Sequence, residues 1–146
     1  MKQTCYIAAD HAGYDLKKQM LAVYPDMINL GTDSSDAVDY PDFAKKLADQ
    51  LERDREAFGI LVCGSGVGID IAANKIDGIR AGTISESEQA RASVHDENLN
   101  VISLSADFLS ENKAIEIARA FLESKYGKEE RYERRLEEIK DIEAGN

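Results

Sequence analysis

The chain has 146 residues, enough for one domain whose hydrophobic core needs no disulfide or metal. Hydrophobic residues make up 43% and charged residues 32%, which excludes a disordered or membrane-embedded chain. With 18 basic and 28 acidic side chains the formal net charge is −10. This charge argues against a nonspecific nucleic-acid binder and against attraction to an anionic membrane surface.

The first residues and the cysteine count indicate a cytoplasmic protein. One basic residue and a short apolar run open the chain, shorter than the ~7–15-residue apolar core of a signal peptide. No apolar stretch approaches the ~20 residues that cross a bilayer. Two cysteines, Cys5 and Cys63, are too few for a disulfide framework.

Short apolar runs alternate with longer amphipathic stretches along the whole chain. The runs predict strands at residues 4–9, 27–30, 58–63, 81–84 and 101–104. The stretches predict helices at residues 14–24, 41–54, 68–74, 111–125 and 129–143, and one more that Ser85 and Glu88 would open as a capping box. The run 58–63 (FGILVC) is apolar on both faces, as a covered parallel strand is. The pattern therefore predicts one α/β domain over residues 1–146, a five-stranded parallel sheet between helical layers with an extra C-terminal helix.

This architecture gives a map of the expected ligand site. Open parallel sheets bind ligands outside the carboxyl ends of their strands, near the point where the strand order reverses. The segments that follow predicted strands are residues 10–11, 32–40, 63–68 and those from 85 onward.

The glycine-rich segment 63–68 (CGSGVG) lies between the most apolar strand and a helix. Its backbone amides and the helix N-terminus favour an anion, either a phosphate or an oxyanion. Its spacing matches neither the dinucleotide-binding fingerprint nor a P-loop, which argues against a nucleotide. The alternative is a tight turn that needs glycine, although the position at the end of a strand favours a functional loop.

Cys63 lies where this strand meets the loop. Backbone amides and a helix N-terminus stabilise a thiolate, so Cys63 is a candidate base or nucleophile, the alternative being a buried structural cysteine. Cys5 begins its own strand and fits the structural alternative. If the first and third strands are neighbours, the two cysteines lie ~13 Å apart along the sheet, too far for a disulfide.

For several charged residues the sequence allows both a functional and a structural interpretation. Asp10 and His11 follow the first strand and are either ligand contacts or a helix cap with an exposed histidine. His95 lies near the end of the fourth helix and suits a helix C-terminus equally well. Arg131 and Arg135 share one face of the last helix, as a phosphate clamp or as partners of nearby acids.

Together these segments resemble the type B ribose 5-phosphate isomerase family, which includes galactose and allose 6-phosphate isomerases. The resemblance rests on residues 9–13 (ADHAG), 39–41 (DYP), 63–68 (CGSGVG), 72–75 (AANK), 78–81 (GIRA) and 131–135 (RYERR), in order along the chain. It implies a Rossmann-like three-layer sandwich and a cofactor-free aldose–ketose isomerase of the pentose phosphate pathway. It also implies that the chain forms at least a homodimer, with a tetramer also open, and that the active site lies between two subunits. Helix 129–143 is then expected to pack on the partner subunit.

The resemblance also implies roles for individual residues. Cys63 would move the proton between C1 and C2, since the position that holds a glutamate in other members is Ile69 here. Ser65 would stabilise the enediolate with the amides of three glycines, Gly64, Gly66 and Gly68. Sugar hydroxyls would contact Asp10 and Tyr40, and the phosphate would contact His11, Arg131 and Arg135.

Three positions depart from the family pattern. The ring-opening histidine of the family falls on Asp96, with His95 one place earlier, so either residue could serve. Asp107 replaces an arginine that helps to bind phosphate in many members, and Tyr132 replaces a histidine.

These observations favour a ribose 5-phosphate isomerase. The alternatives are a hexose 6-phosphate isomerase for allose or galactose 6-phosphate, and a non-catalytic sugar-phosphate-binding protein. The presence of both Cys63 and Ser65 argues against mere binding, which needs no positioned thiol.

Overall fold

The computed structural model describes residues 3–146, in which every strand runs parallel to its neighbours. The strands are β1 (Cys5–Ala9), β2 (Ile28–Asn29), β3 (Phe58–Cys63), β4 (Ala81–Thr83) and β5 (Val101–Ser105). The helices are α1 (Tyr14–Val23), α2 (Tyr40–Arg53), α3 (Val67–Asn74), α4 (Ser87–Glu97), α5 (Glu111–Glu123) and α6 (Glu130–Ala144). This is the predicted α/β architecture with its extra C-terminal helix. Within residues 3–146, no helix combines the length and apolarity that crossing a bilayer requires.

The strand order is β2-β1-β3-β5-β4, so β3 lies at the centre of the sheet. Its neighbours are β1, where Cys5 pairs with Phe58, and β5, where Cys63 pairs with Ser105. The chain runs from β1 outward to β2 and then returns to β3, which makes the carboxyl ends of β1 and β3 the point where the order reverses. The register also confirms that the two cysteines lie at opposite ends of the sheet, and both are free thiols.

Alternate side chains of β3 enter two separate cores, as the apolar run predicted. Ile60 and Val62 join the core beneath α1, α4 and α5. Leu61 and Cys63 join the core beneath α2 and α3, where Leu47 is also fully buried. Burial of side chains this size stabilises the fold by about 1.5–3 kcal/mol each.

The predicted element boundaries agree with the structure to within a few residues, but the predicted capping box is wrong. Glu86 occupies the N-cap of α4, and no side chain caps the helix there. The Ser85 amide instead donates to the side-chain oxygen of Gln89 at 2.9 Å. The Glu88 carboxylate pairs with Arg91 on the same helix and does not reach back to the chain before it.

A small polar cluster lies between α3 and the strands β4 and β5. Asp70 on α3 is half-buried and accepts a hydrogen bond from the Ser103 hydroxyl at 3.3 Å. Burial raises the pKa of Asp70, although hydrogen bonds from Ser103 and Thr83 oppose the rise. The ionised carboxylate is therefore less favourable in the folded protein than in the unfolded chain.

We expect Asp70→Asn to raise the free energy of unfolding at pH 7. A folded-state pKa above the unfolded one gives stability at low pH that is lost as pH rises from the ordinary aspartate range through the folded-state pKa. Denaturant unfolding of both proteins from pH 4 to pH 7 should therefore show that the variant's advantage in free energy of unfolding over the wild type grows as pH rises. A difference in free energy of unfolding that does not change with pH, or a more stable wild type at pH 7, would contradict this account.

Candidate functional site at the carboxyl edge of the sheet

The glycine loop between β3 and α3 is fixed by a left-handed residue. Gly66 is the N-cap of α3 and has φ of +78°, a conformation that side chains other than glycine rarely adopt. A Cβ at Gly66 would lie 3.1 Å from backbone atoms of Leu104 and Ser105, so the loop packs directly on the end of β5. The Thr83 hydroxyl donates to the Gly66 carbonyl at 3.2 Å and ties the loop to β4 as well.

Cys63 and Ser65 present two different chemical groups in this loop. The Gly66 amide donates a hydrogen bond to the Cys63 sulfur at 3.2 Å, and Cys63 is only 4% exposed. The Ser65 side chain is exposed, and its oxygen accepts from the Val67 amide at 3.2 Å, which leaves the hydroxyl proton available to a ligand.

The two cysteines differ in the groups around their sulfur atoms. Burial raises the pKa of Cys5 to about 12, which keeps that thiol protonated at neutral pH. Its Sγ faces the carbonyl oxygen of Tyr6 at 3.7 Å, an acceptor that does not stabilise a thiolate. Cys63 instead receives an amide donor, which favours negative charge on sulfur.

Asp10 and His11 follow β1 at the same edge. Asp10 is buried, and its carboxylate accepts from the Gly13 amide at 3.1 Å. Gly13 and not Asp10 is the N-cap of α1, so the helix-cap alternative for Asp10 is wrong. His11 is exposed, and its Nδ1 accepts from the Val38 amide at 3.1 Å. The Val38 carbonyl oxygen lies 3.2 Å from the same nitrogen and would accept from it once the imidazole is protonated.

Tyr40 and Asp107 lie on either side of the glycine loop. The Tyr40 ring covers Gly68, because a Cβ there would be 2.9 Å from the ring carbon Cζ. The Asp107 carboxylate lies beside Gly64, where the corresponding distance to Oδ2 is 2.9 Å, and the Asp107 amide donates to the Gly64 carbonyl at 3.0 Å. An exposed carboxylate at this corner repels an anion, so a phosphate has to bind elsewhere.

Two hydroxyl residues that hold the loop were not predicted from the sequence. Thr83 ends β4, and Ser105 ends β5 with its hydroxyl donating to the Gly64 carbonyl at 2.6 Å. A usable signal was present, since both are polar residues at the carboxyl ends of apolar strands. The prediction that β5 ends at residue 104 left Ser105 out of the strand.

The remaining predicted residues lie at the opposite, amino edge of the sheet. Helix α4 runs back from the carboxyl edge, and His95 lies in its last turn. Five residues later the Asn100 carbonyl accepts a hydrogen bond from the Gly59 amide near the start of β3, which places this part of the chain at the amino edge. Arg131 is at the start of α6 beside Tyr132, whose ring packs edge-on to His95 with centroids 5.5 Å apart. Arg135 is exposed one turn further along α6.

The candidate residues therefore form two separate clusters within one chain. We call the first the carboxyl-edge cluster; its members are Asp10, His11, Tyr40, Cys63, Gly64, Ser65, Gly66 and Gly68. We call the second the amino-edge cluster; its members are His95, Asp96, Arg131 and Arg135. Four rises of ~3.3 Å along β3, from Gly59 to Cys63, separate the two levels by ~13 Å.

Ion pairs and aromatic contacts already engage part of the amino-edge cluster. Arg131 pairs with Glu129 and donates to the Tyr132 hydroxyl at 2.9 Å, so the interpretation as partners of nearby acids is confirmed for this arginine in the single chain. Across residues 3–146, no group of three or more His, Cys, Asp or Glu side chains is arranged to hold a metal ion.

Comparison with known proteins gives consistent matches over nearly the whole chain. The family model described as "Ribose/Galactose Isomerase" matches residues 5–139. A "Probable ribose-5-phosphate isomerase B" of Mycoplasma genitalium is 38% identical over 146 residues, covering 95% of each chain. The "Ribose-5-phosphate isomerase B" of Escherichia coli is 36% identical over 147 residues, covering 98% of this chain and 97% of its own.

Solved structures give the same result. Ribose-5-phosphate isomerase B of Clostridium thermocellum superposes with a TM-score of 0.94 and 33% identity, over 98% of this chain and 99% of its own. The Mycoplasma genitalium enzyme with bound ribulose-5-phosphate superposes with a TM-score of 0.93 and 34% identity, over 100% of this chain and 99% of its own.

We expect Gly66→Ala to lower the free energy of unfolding by about 1–3 kcal/mol, because alanine is strained at positive φ and its Cβ would crowd the end of β5. Gly82→Ala is the matched control, since a Cβ on this β4 glycine meets no atom closer than 3.5 Å. Denaturant unfolding measures both. Equal losses in the two variants would contradict the assigned role of the left-handed conformation.

Proposed function

The chain belongs to the ribose/galactose isomerase family, and from this we propose that it is an aldose–ketose isomerase that interconverts ribose 5-phosphate and ribulose 5-phosphate. The observation that carries the proposal is Cys63 at the end of the central strand, with the Gly66 amide donating to its sulfur. The match to a protein solved with bound ribulose-5-phosphate, over the full length of this chain, supports the choice of a pentose phosphate.

Cys63 is the proposed base of the proton transfer. The thiolate takes the proton from C2 of the open-chain aldose, and the electron pair moves to the C1 oxygen to form an enediolate. The thiol then returns the proton to C1, and the hydroxyl at C2 becomes the ketone as its proton passes to the C1 oxygen. The Gly66 amide stabilises the thiolate form of this base.

The oxyanion role falls to the other donors of the loop. Since the Gly66 amide donates to sulfur, the amides of Gly64 and Gly68 and the Ser65 hydroxyl are the groups proposed to stabilise the enediolate oxygen. Tyr40, whose ring lies against Gly68, and Asp10 are placed to contact the sugar hydroxyls at the same edge.

The phosphate requires cationic groups that this edge does not supply in sufficient number. His11 is the one candidate phosphate ligand in the carboxyl-edge cluster, and Asp107 adds negative charge beside the loop. Arg131 and Arg135 belong to the amino-edge cluster, ~13 Å away along the strand direction. A second copy of the chain that places its amino-edge cluster over the loop would complete the site.

We therefore propose a homodimer with two shared sites. In a dimer with twofold symmetry each copy gives a carboxyl-edge cluster to one site and an amino-edge cluster to the other. Val67 and Ile71, four residues apart on α3 and 49% and 56% exposed, form an apolar face beside the loop that a second copy would cover. A tetramer built from such dimers is compatible with this arrangement.

We expect Cys63→Ala to lower kcat for ribose 5-phosphate by about 10²–10⁴-fold, because the base is lost while the binding groups remain. Affinity for ribulose 5-phosphate, measured by calorimetry, should stay near the wild-type value. Cys5→Ala is the matched control, since Cys5 lies at the far end of the sheet, and it should leave kcat unchanged. Full turnover by the Cys63 variant would exclude this thiol as the base. If the wild type instead converts allose or galactose 6-phosphate more efficiently than ribose 5-phosphate, the hexose phosphate is the substrate.

Mixed dimers test the shared site. Cys63→Ala and the double variant Arg131→Ala, Arg135→Ala should each be nearly inactive at low substrate concentration. Co-refolded in equal amounts, they should regain about a quarter of wild-type activity, because half of the dimers are mixed and each has one intact site. Mass spectrometry verifies that mixed dimers form. If they form and remain inactive, Cys63 and the two arginines do not come from different subunits of a shared site.

A further inference from the structure

His95 makes contacts in the amino-edge cluster that go beyond those of an exposed helix-end histidine. Its Nδ1 lies 2.8 Å from Oδ1 of Asp96, the next residue. The hydrogen bond from His95 lowers the pKa of Asp96, with a further contribution from the Tyr132 hydroxyl, so Asp96 is a carboxylate at neutral pH. A carboxylate only accepts hydrogen bonds, so the shared proton is on Nδ1 of the imidazole.

Tyr132 joins this pair to the phosphate-binding candidates. Burial raises the pKa of the Tyr132 phenol, and the neighbouring Asp96 carboxylate adds to the rise, so the phenol keeps a proton that it can donate towards Asp96. Arg131 donates to the same phenol oxygen at 2.9 Å, and its guanidinium carbon lies 4.5 Å from the centre of the tyrosine ring. Two hydrogen bonds, between His95 and Asp96 and between Arg131 and Tyr132, and the packing of the Tyr132 ring on His95 bring these four residues of α4 and α6 together.

Gly127 controls the other side of the imidazole. Its amide donates to the His95 carbonyl at 3.0 Å, which holds the segment before α6 against the end of α4. A Cβ on Gly127 would lie 2.6 Å from Nε2 and 2.7 Å from Cε1, so any other residue here has to displace the ring. With glycine in place, the His95 side chain keeps about half of its surface, 48%, open.

We propose that Asp96, Tyr132 and Gly127 are positioning residues that hold His95 with its proton on Nδ1 and leave Nε2 to accept the proton of the anomeric hydroxyl. This inference rests on the proposed isomerase function and deepens it. Ring opening moves the O1 proton to Nε2 and breaks the bond between C1 and the ring oxygen. The imidazolium then passes this proton through water to the ring oxygen, which becomes the C4 hydroxyl. The open-chain aldehyde that results is the form on which Cys63 acts. Asp96 thereby acts through His95 and is not itself the ring-opening group.

The two histidines of the chain give this proposal an internal control. In His11 the nitrogen Nδ1 lies 3.1 Å from the Val38 amide nitrogen, a donor, and 3.2 Å from the Val38 carbonyl oxygen, an acceptor; with the amide as its partner, neutral His11 carries its proton on Nε2. In His95 the proton is on Nδ1. One protein is therefore expected to hold its two imidazoles in opposite tautomers.

Nitrogen-15 NMR of the imidazole groups tests this expectation without any substrate. We expect neutral wild-type His95 in the Nδ1–H form and neutral His11 in the Nε2–H form, with His11→Gln used for assignment. Asp96→Ala should shift His95 toward the Nε2–H form that free imidazole side chains favour, and Tyr132→Phe should shift it in part. An Nε2–H form of His95 in the wild type, or no change in Asp96→Ala, would overturn the proposal.

A second measurement tests ring opening apart from isomerisation. In the Cys63→Ala background, exchange NMR follows the interconversion of the two anomers of ribose 5-phosphate, which needs ring opening but no proton transfer at carbon. Adding Gly127→Ala should slow the enzyme-catalysed exchange by about 10–100-fold, while Gly145→Ala, whose Cβ would meet no atom closer than 3.5 Å, should leave it unchanged. Absence of anomer exchange in the parent, or equal exchange in both glycine variants, would overturn the positioning role. Wild-type isomerase activity is measured separately, so failure here is distinguishable from failure of the proposed function.

Discussion

Burial of β3 between β1 and β5 is the constraint on which the site depends. Because β3 is covered on both faces and paired on both edges, its carboxyl end has one fixed position and direction. Cys63 is the last residue of that strand and inherits its rigidity. The loop that follows has little freedom, since left-handed Gly66 packs on the end of β5 and the hydroxyls of Thr83 and Ser105 hold the loop carbonyls. The proposed base is thereby placed at the end of a strand that is paired on both edges and covered on both faces.

The same parallel geometry separates the charges of the chain. Each helix returns the chain to the amino edge, so residues at the ends of α4 and the start of α6 lie far from the glycine loop of their own chain. The acidic protein, with a net charge of −10, cannot attract a phosphate by its overall field. Binding has to come from a few local groups at short range, where the Debye length of ~8 Å limits repulsion from distant acids. The negative charge of Asp107 beside Gly64 also disfavours a phosphate at that corner of the loop.

Departures from the family pattern acquire a physical meaning once their contacts are known. Asp96 and Tyr132 both contact His95, the first by a hydrogen bond to Nδ1 and the second by its ring, so the two changes act on the same side chain. Gly127, which the sequence analysis did not single out, leaves the space that the His95 ring occupies. These residues come from α4, α6 and the segment between α5 and α6, and their relation is visible only after the helices pack.

The sequence by itself determined the fold class, the positions of the strands and helices and the carboxyl-edge cluster. Periodicity is local, and the residues after a strand reach the same edge whatever the strand order, so residues 10–11 and 63–68 could be placed without coordinates. The sequence also predicted that Cys5 and Cys63 are apart, because one begins and the other ends a strand. The tertiary structure decided the strand order, the N-cap of α4, the amide donated to Cys63 and the location of His95 and Arg131 at the opposite edge. Those features depend on contacts between segments distant in the chain, and neither spacing nor residue type specifies which distant segments meet.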